Sequence, residues 1–452
     1  MTSVGAIGER RASGFWSDVS DSASDVSEAW RPPATVRIAL AGCGVVGSAL
    51  LRELTARRAT LRDRHGVRVV LSRVLVRDVE LERAAPFDRT LLTASVDEFL
   101  DAEADVIVEA IGGLDPARRI AISALSRGRA LVTANKELLA VHGSELASVA
   151  SRCRTTLRYD AAVGGGVPVL RLLDDALGAG TPTRVRGILN GTSNFVLTKL
   201  EEGASLDDAL RAARHAGFAE ADATRDLDGR DAAAKLALVA WGAFGVAPES
   251  VRVRRTSLLP DPARYVRLGE RFERSVRQIA ECALMDGAVI ASVEPVLVER
   301  GSAFARTRDE QNRVEVHTGW SAPLCASGPG AGGVPTATAL LSDLLATSRP
   351  ACRATHPGAT PRVTRGGVEG RDPRRSRWAL DVRGAPALLH RLVPCSGFVH
   401  TDAVARSAWS IIDSATVAEI ADVVRALDAA GADPIVVRFD DDAEADRGRG
   451  GS

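Results

Sequence analysis

An apolar run, Val36-Arg-Ile-Ala-Leu-Ala41, passes directly into Gly42-Cys-Gly44-Val-Val-Gly47-Ser-Ala-Leu-Leu51. No other stretch restricts the fold as strongly. The first six residues predict a buried strand and the last few a helix, with the spacing G-x-G-x-x-G at their junction. Gly42 then permits the tight turn, Gly44 lets a pyrophosphate approach the backbone, and Gly47 lets helix and strand pack closely. The helix start, with Val45 and Val46, offers N–H groups and a partial positive charge to phosphates. The expected architecture is α/β, with an N-terminal Rossmann-type dinucleotide-binding domain.

The following segments extend that sheet. Val69–Val76 predicts a second strand ending in Arg77-Asp78. An acid there would bind the ribose hydroxyls of NAD, whereas an arginine accommodates the 2′-phosphate of NADP. Both are present, so the choice stays open, with a lean to NADP through Arg77. Asp105–Gly113 predicts another parallel strand whose Gly-Gly end lies at the sheet's ligand-bearing edge. Ala130–Ala140 predicts a strand, a polar turn and a helix, which puts Lys136 at the same edge; Asn135 is either a helix cap or a contact. Arg158–Pro168 carries three consecutive glycines before a helix at Val169–Leu177. It is a glycine-rich hinge, or else a set of hard oxygens for a cation, with Asp160 adding a carboxylate.

Composition sharpens the search for chemistry. Of 58 Lys plus Arg residues only three are lysine (Lys136, Lys199, Lys235) and the remaining 55 are arginine. A lysine ammonium can give up its proton where an arginine guanidinium cannot, so a retained lysine is a candidate proton donor. Lys235 ends Gly217–Lys235, which packs Glu220, Asp222, Asp226, Asp228 and Asp231 into a turn-rich segment. A helix is expected near Arg230 with Asp228 as N-cap, placing Asp231 and Lys235 at i and i+4 on one face. The alternative is an acidic loop with one surface ion pair. Arg184–Asn194 reads as a strand running into small polar residues, then a helix at Phe195–Glu202. That helix start suits a substrate carboxylate, or Thr192 or Ser193 simply caps it. Lys199, mid-helix, reads as solvated.

Zero formal net charge gives no global field favouring nucleic acid or an anionic membrane. No apolar run approaches the roughly 20 residues that span a bilayer, and the N-terminus lacks a secretory pattern. Six scattered cysteines form no C-x-x-C pair, which fits a cytoplasmic setting and argues against structural zinc. Tyr265–Met285 reads as an amphipathic stretch, Ala288–Glu299 and Arg313–His317 as strands, and Gly328–Gly333 as a glycine turn opening another helix. Arg377–Phe439 reads as a small β-α-β-β-α-β-like unit, with a helix at Pro386–Val393.

Gly42–Gly47, Val132-Thr-Ala-Asn-Lys136, Gly187–Asn194, Gly217–Lys235 and Gly328-Pro-Gly-Ala-Gly-Gly333 occur in one order. Together they resemble homoserine dehydrogenase over roughly residues 36 to 346. That family interconverts aspartate β-semialdehyde and L-homoserine with NADPH or NADH. The resemblance implies that Lys235 is the proton donor with Asp231 beside it, and that Lys136 touches cofactor and substrate. It implies substrate contacts at Glu220, Asp226, Gly191 and Thr192. Nucleotide contacts are implied at Gly42, Gly44, Val45, Val46, Gly47, Arg77, Gly328 and Gly330. A monovalent cation such as sodium would sit at Asp160, Val163, Gly165 and Val167, mostly on main-chain oxygens.

The implied division is a disordered extension (1–34), the dinucleotide-binding domain (35–166) and an α+β catalytic and dimerisation domain (167–327). Then come a segment returning to the nucleotide domain (328–346), a linker (347–375), a small α+β ACT-like domain (376–440) and a disordered tail (441–452). A homodimer is expected, with an amino-acid substrate and neither nucleic acid nor membrane as partner. The chain departs from the family at Asp160 (usually Glu), at Ala223 (usually Pro), in arginines across Arg267–Arg277, at Ser302-Ala-Phe-Ala305, and in a weak glycine turn at Arg383–Pro386. A paralogous dehydrogenase for another amino-acid semialdehyde, or a non-catalytic nucleotide and amino-acid sensor, would share many of these features.

Overall fold

The computed structural model describes residues 34–83, 85–319, 322–348, 372–384, 399–402 and 407–440. The expected extension before Ala34, most of the linker, the helix at Pro386–Val393 and the tail lie outside the described residues.

The first sheet is built from β1 (Ala34–Ala41), β2 (Val67–Leu75), β3 (Leu92–Thr93), β4 (Val106–Glu109), β5 (Ala130–Thr133) and β6 (Leu157–Arg158). Its helices are α1 (Val45–Ala56), α2 (Arg58–His65), α3 (Val96–Asp101), α4 (Ala117–Ser126) and α5 (Lys136–Arg152). All neighbours are parallel, in the order β3-β2-β1-β4-β5-β6. Ile38, Ala39, Leu40 and Ala41 are fully buried, as the continuous apolar run of a strand covered on both faces requires. The strand order reverses between β1 and β4, which opens a crevice at their carboxyl ends. Gly42 turns there with φ 98°. A Cβ on Gly42 would lie 2.5 Å from the Ala110 carbonyl oxygen, and one on Gly47 2.0 Å from the Gly42 carbonyl oxygen. Neither position admits a side chain.

The chain then enters a second, mixed layer through α6 (Val169–Ala179), β7 (Arg184–Ile188), α7 (Gly191–Glu201), α8 (Leu206–His215), α9 (Thr224–Leu227) and α10 (Arg230–Phe244). There follow β8 (Val253–Arg255), α11 (Pro262–Arg271), β9 (Arg274–Met285), β10 (Ala288–Glu299), α12 (Ala303–Arg306), β11 (Gln311–His317), β12 (Leu324–Pro329) and α13 (Gly333–Thr347). Tyr265–Met285 is therefore not one amphipathic element. Glu273, with φ 53°, breaks it into the end of α11 and the strand β9. Asp286 (φ 49°) and Gly287 (φ 77°) then turn β9 into β10, because Asp-Gly tolerates two successive left-handed residues. Helix α10 is buried over most of its surface, with Leu236, Leu238, Val239 and Ala240 at its centre. Its alanines allow close packing, and Gly242 lies against Leu170 and Leu173 of α6.

The C-terminal unit adds β13 (Ser376–Arg383), β14 (Val399–Asp402), β15 (Ser407–Ala415), α14 (Val417–Ala429) and β16 (Asp433–Phe439). It joins the larger sheet through parallel pairing of β10 with β16, at Val296↔Arg438 and Leu297↔Phe439. Buried Glu281 anchors this seam, facing Arg184 (2.8 Å), Arg438 (3.4 Å) and Arg374. Burial disfavours its charge, but Arg438, Arg184, Arg374 and Arg186 outweigh that and hold it well below the usual carboxylate range.

Helix α13 lies against α1. A Cβ on Gly333 would come 2.9 Å from Val45, and Leu340, Leu341 and Leu344 share a core with Ile38 and Leu40. Buried Asp343 accepts the Asp160 N–H at 2.9 Å. Burial first, and then the neighbouring Asp160 charge, push its pKa up to about 8 against the pull of Arg158 and Arg171. The folded protein thus keeps a proton that the unfolded chain releases near pH 4. This stabilisation is complete below that pH and is lost as pH rises through about 8. Asp343→Asn should flatten the decline in stability between about pH 4 and 8 in urea titrations run across that range.

Candidate active site

Three helices begin at one place: α5 at Lys136, α7 at Gly191 and α10 at Arg230. The N-cap of α10 is Gly229, with φ 79°, rather than the expected Asp228. The chain leaves α9 and reverses through a left-handed residue, which glycine adopts without steric cost. Asp228 instead accepts the Arg230 N–H (2.9 Å) and pairs with the Arg230 guanidinium (2.6 Å). Helix α7 likewise starts four residues before the expected Phe195. Asn190 caps it, accepting the Ser193 N–H at 2.7 Å. Thr192 donates its hydroxyl to the Phe218 carbonyl (2.6 Å), and the Ser193 hydroxyl lies 3.1 Å from Gln278 Oε1. Neither is the cap.

Asp231, in the first turn of α10, is the centre of the site. Its two oxygens lie 3.0 Å from Lys136 Nζ and 3.0 Å from Lys235 Nζ. Asn190 Nδ2 donates to the same carboxylate at 2.9 Å and to Asp226 at 2.7 Å. Burial raises the cost of charge on Asp231, but Lys235 and Lys136 together outweigh it and keep the carboxyl far below its ordinary range. Asp226 moves the other way, raised by its own burial, with Asp231 adding to the rise. Lys235 Nζ also donates to the Leu189 carbonyl at 2.9 Å, and its side chain is only 13% exposed against 38% for Lys136. Lys199 is not simply solvated: it pairs with Glu202 (2.9 Å) and Asp309 (3.2 Å).

Asn135 leads from this cluster to the nucleotide crevice. It caps α5 by accepting the Leu138 N–H (3.0 Å) and donates to the Gly113 carbonyl (2.7 Å). The loop it holds lies beside Gly42. At the glycine turn, the position of a Gly44 Cβ is open, with nothing within 4 Å. No side chain caps α1, so the N–H groups at Val45 and Val46 lie outside the helix ladder, and Val45 is 77% exposed. A pyrophosphate fits this cradle. Arg77 is exposed just beyond β2. Gly328 ends up in β12 nearest Val167, and Gly330 lies against Asn312. The residue of that turn that meets the glycine turn is Gly333.

Glu220 is exposed, two residues after the Phe218 carbonyl that receives Thr192. Around Asp160, Val163, Gly165 and Val167, some oxygens already have partners. Asp160 Oδ1 accepts the Leu170 N–H (3.0 Å), its Oδ2 lies 3.6 Å from Arg171, and the Val167 carbonyl accepts the Val169 N–H. Among the described residues no group of three or more His, Cys, Asp or Glu is placed to hold a metal ion, and no helix is long and apolar enough to cross a membrane. The sequence reading missed Asn190 as a cap, although asparagine ahead of small polar residues is such a signal. It also gave no role to Glu109, whose position inside a predicted strand carried no hint of its partners.

Removing the Asp231 charge leaves two ammonium groups facing each other without an anion. Asp231→Ala should lower unfolding stability at neutral pH by roughly 3 kcal/mol, measured by urea denaturation. Lys136→Ala in that background should restore part of the loss.

The family model described as "Homoserine dehydrogenase, NAD binding domain" matches residues 42–160, and the one described as "Homoserine dehydrogenase" matches residues 168–345. The homoserine dehydrogenase of Bacillus subtilis (strain 168) is 36% identical over 316 residues, covering 69% of this chain and 72% of its own length. The crystal structure of a homoserine dehydrogenase from Thiobacillus denitrificans superposes with a TM-score of 0.79 at 27% identity, over 90% of this chain and 98% of that one. A hyperthermophilic archaeal homoserine dehydrogenase in complex with NADPH shares the fold, with a TM-score of 0.58 at 24% identity over 70% of this chain and 98% of that one. With both halves of its site matched in order, this chain belongs to the homoserine dehydrogenase family.

Proposed function

We propose that this dehydrogenase reduces aspartate β-semialdehyde to L-homoserine, with Lys235 as the proton donor. The observation that supports this most is the Asp231 carboxylate held at 3.0 Å by both Lys136 and Lys235. A reduced nicotinamide, when bound, would supply the hydride to the carbonyl carbon. The carbon–oxygen π electrons then move onto oxygen, and the Lys235 ammonium delivers a proton to that oxygen. Asp231 is ionised as the step begins, its proton affinity held low by the Lys235 and Lys136 ammonium groups. With Lys136 beside it, the cluster favours negative charge developing on the substrate. The N–H groups of Gly191 and Thr192 at the start of α7 are suited to the substrate carboxylate, and Glu220 and Asp226 to its ammonium group.

Gly42, Gly44, Val45, Val46 and Gly47 would hold the pyrophosphate, Arg77 the 2′-phosphate of NADPH, and Lys136, Gly328 and Gly330 the nicotinamide end. A monovalent cation such as sodium would rely on the main-chain oxygens of Val163, Gly165 and Val167 more than on the Asp160 carboxylate, which already serves Leu170 and Arg171. The division at residues 35–166 and 167–327, with 328–346 returning to the nucleotide side, is part of the proposal; the stretches matched at 42–160 and 168–345 and the packing of Gly333 on Val45 support it. A homodimer, a cytoplasmic setting and an ACT-like role for 376–440 are proposed from the family resemblance. Cys43, Cys153, Cys282 and Cys325 are free thiols, which suits a reducing compartment.

Lys235→Ala should lower kcat with aspartate β-semialdehyde by about 10²–10⁴-fold and leave the Kd for NADPH within a few-fold. Stopped-flow NADPH oxidation and fluorescence titration read the two effects separately, and near-normal turnover refutes the assignment. Arg77→Ala should raise KM for NADPH by about tenfold while leaving KM for NADH unchanged. Steady-state assays with each cofactor decide it.

A further inference from the structure

We propose that Glu109 is a positioning residue that sets the nucleotide turn and the start of the Lys136 helix in one register. The proposal rests on the roles given above to the glycine turn and Lys136. Glu109 ends β4 at the switch point between β1 and β4 and is completely buried. One carboxylate oxygen accepts the N–H groups of Ile111 (2.8 Å) and Gly112 (3.2 Å) and lies 3.4 Å from Asn135 Nδ2. The other accepts the Thr133 hydroxyl. That hydroxyl itself accepts the Asn135 N–H at 3.0 Å, so its proton is directed to Glu109. Three of the four groups facing the carboxylate can only donate, and the Thr133 hydroxyl donates in this arrangement.

These contacts run in two directions. On one side, the loop folded over Glu109 places the Ala110 carbonyl 2.5 Å from where a Gly42 Cβ would stand. On the other, Asn135 is held by Thr133 and Gly113 and caps the helix whose first residue is Lys136. Burial raises the proton affinity of Glu109 on balance, and the hydrogen bonds from Thr133, Ile111, Gly112 and Asn135 only reduce that rise. A proton on the oxygen that meets Ile111, Gly112 and Asn135 would confront only donors. An amide has the right size, but its NH₂ group would meet either the Ile111 and Gly112 donors or a Thr133 hydroxyl that now donates to the carboxylate. A space-filling role would tolerate glutamine; a positioning role would not.

The test compares wild type, Glu109→Gln, Lys136→Ala and the double variant in the full chain. Kd for NADPH is read by fluorescence, kcat and KM with aspartate β-semialdehyde, and folding by circular dichroism. Glu109→Gln should weaken NADPH binding and lower kcat, each by about tenfold, as loss of a charged hydrogen bond would. Lys136→Ala should cost at least about threefold less in the Glu109→Gln background than in wild type, because both changes disable one unit. NADPH binding and kcat within twofold of wild type would overturn the proposal, and so would losses that multiply independently. If wild type turns over no semialdehyde, the reaction assigned above fails and NADPH affinity alone judges Glu109: unchanged affinity overturns it, a tenfold loss supports it. Should Glu109→Gln not fold, Thr133→Val removes one donor from the carboxylate. It is expected to weaken NADPH binding about threefold, and unchanged binding overturns the proposal.

Discussion

Two ammonium groups brought by different helices meet on the Asp231 carboxylate, and the arrangement of the helix starts follows from that contact. Lys136 arrives from the first sheet and Lys235 from the central helix of the second layer. Asn190 arrives from a third helix start and bonds both Asp231 and Asp226. A carboxylate this buried is stable as an anion only while such partners surround it. The two layers are therefore tied at the point where the reaction is assigned, and the nucleotide crevice opens next to that tie.

The use of cations in this chain has a physical pattern. Arg277 is fully buried and bonds Glu201 as well as the carbonyls of Val276, Ala305 and Thr307. Arg264 bonds Asp381 and Asp433. A planar five-donor fork can serve several acceptors at once, which a lysine ammonium does less well. The departures to arginine around Arg267–Arg277 thus include a structural site. The two lysines on Asp231 are the ones proposed above to act on cofactor and substrate, whereas Lys199 joins an ordinary ion pair with Glu202 and Asp309.

The C-terminal unit is continuous with the larger sheet rather than tethered beside it. β16 pairs with β10, Arg438 bonds Glu294 at 3.1 Å, and Arg186 bonds Asp440 at 2.7 Å. Charged side chains at this seam are almost all neutralised within it. The stabilising effect comes from their mutual satisfaction in a buried setting rather than from any single pair.

Local periodicity and spacing were enough to identify the nucleotide half, because its signals are short-range: an apolar strand, glycines where a Cβ would collide with Ala110 or Gly42, and a helix start. The i,i+4 relation of Asp231 and Lys235 was equally legible, since it needs only one helix. Tertiary structure decided what depends on distant partners. Lys136 joins Asp231 across the interface between layers, Asn190 rather than Thr192 or Ser193 caps α7, and Gly229 rather than Asp228 is the N-cap of α10. Glu109 gains its four donors only when β4, β5 and the Ile111–Gly113 loop are brought together. A carboxylate's environment is set by groups far away in the chain, and no local pattern encodes which of them will face it.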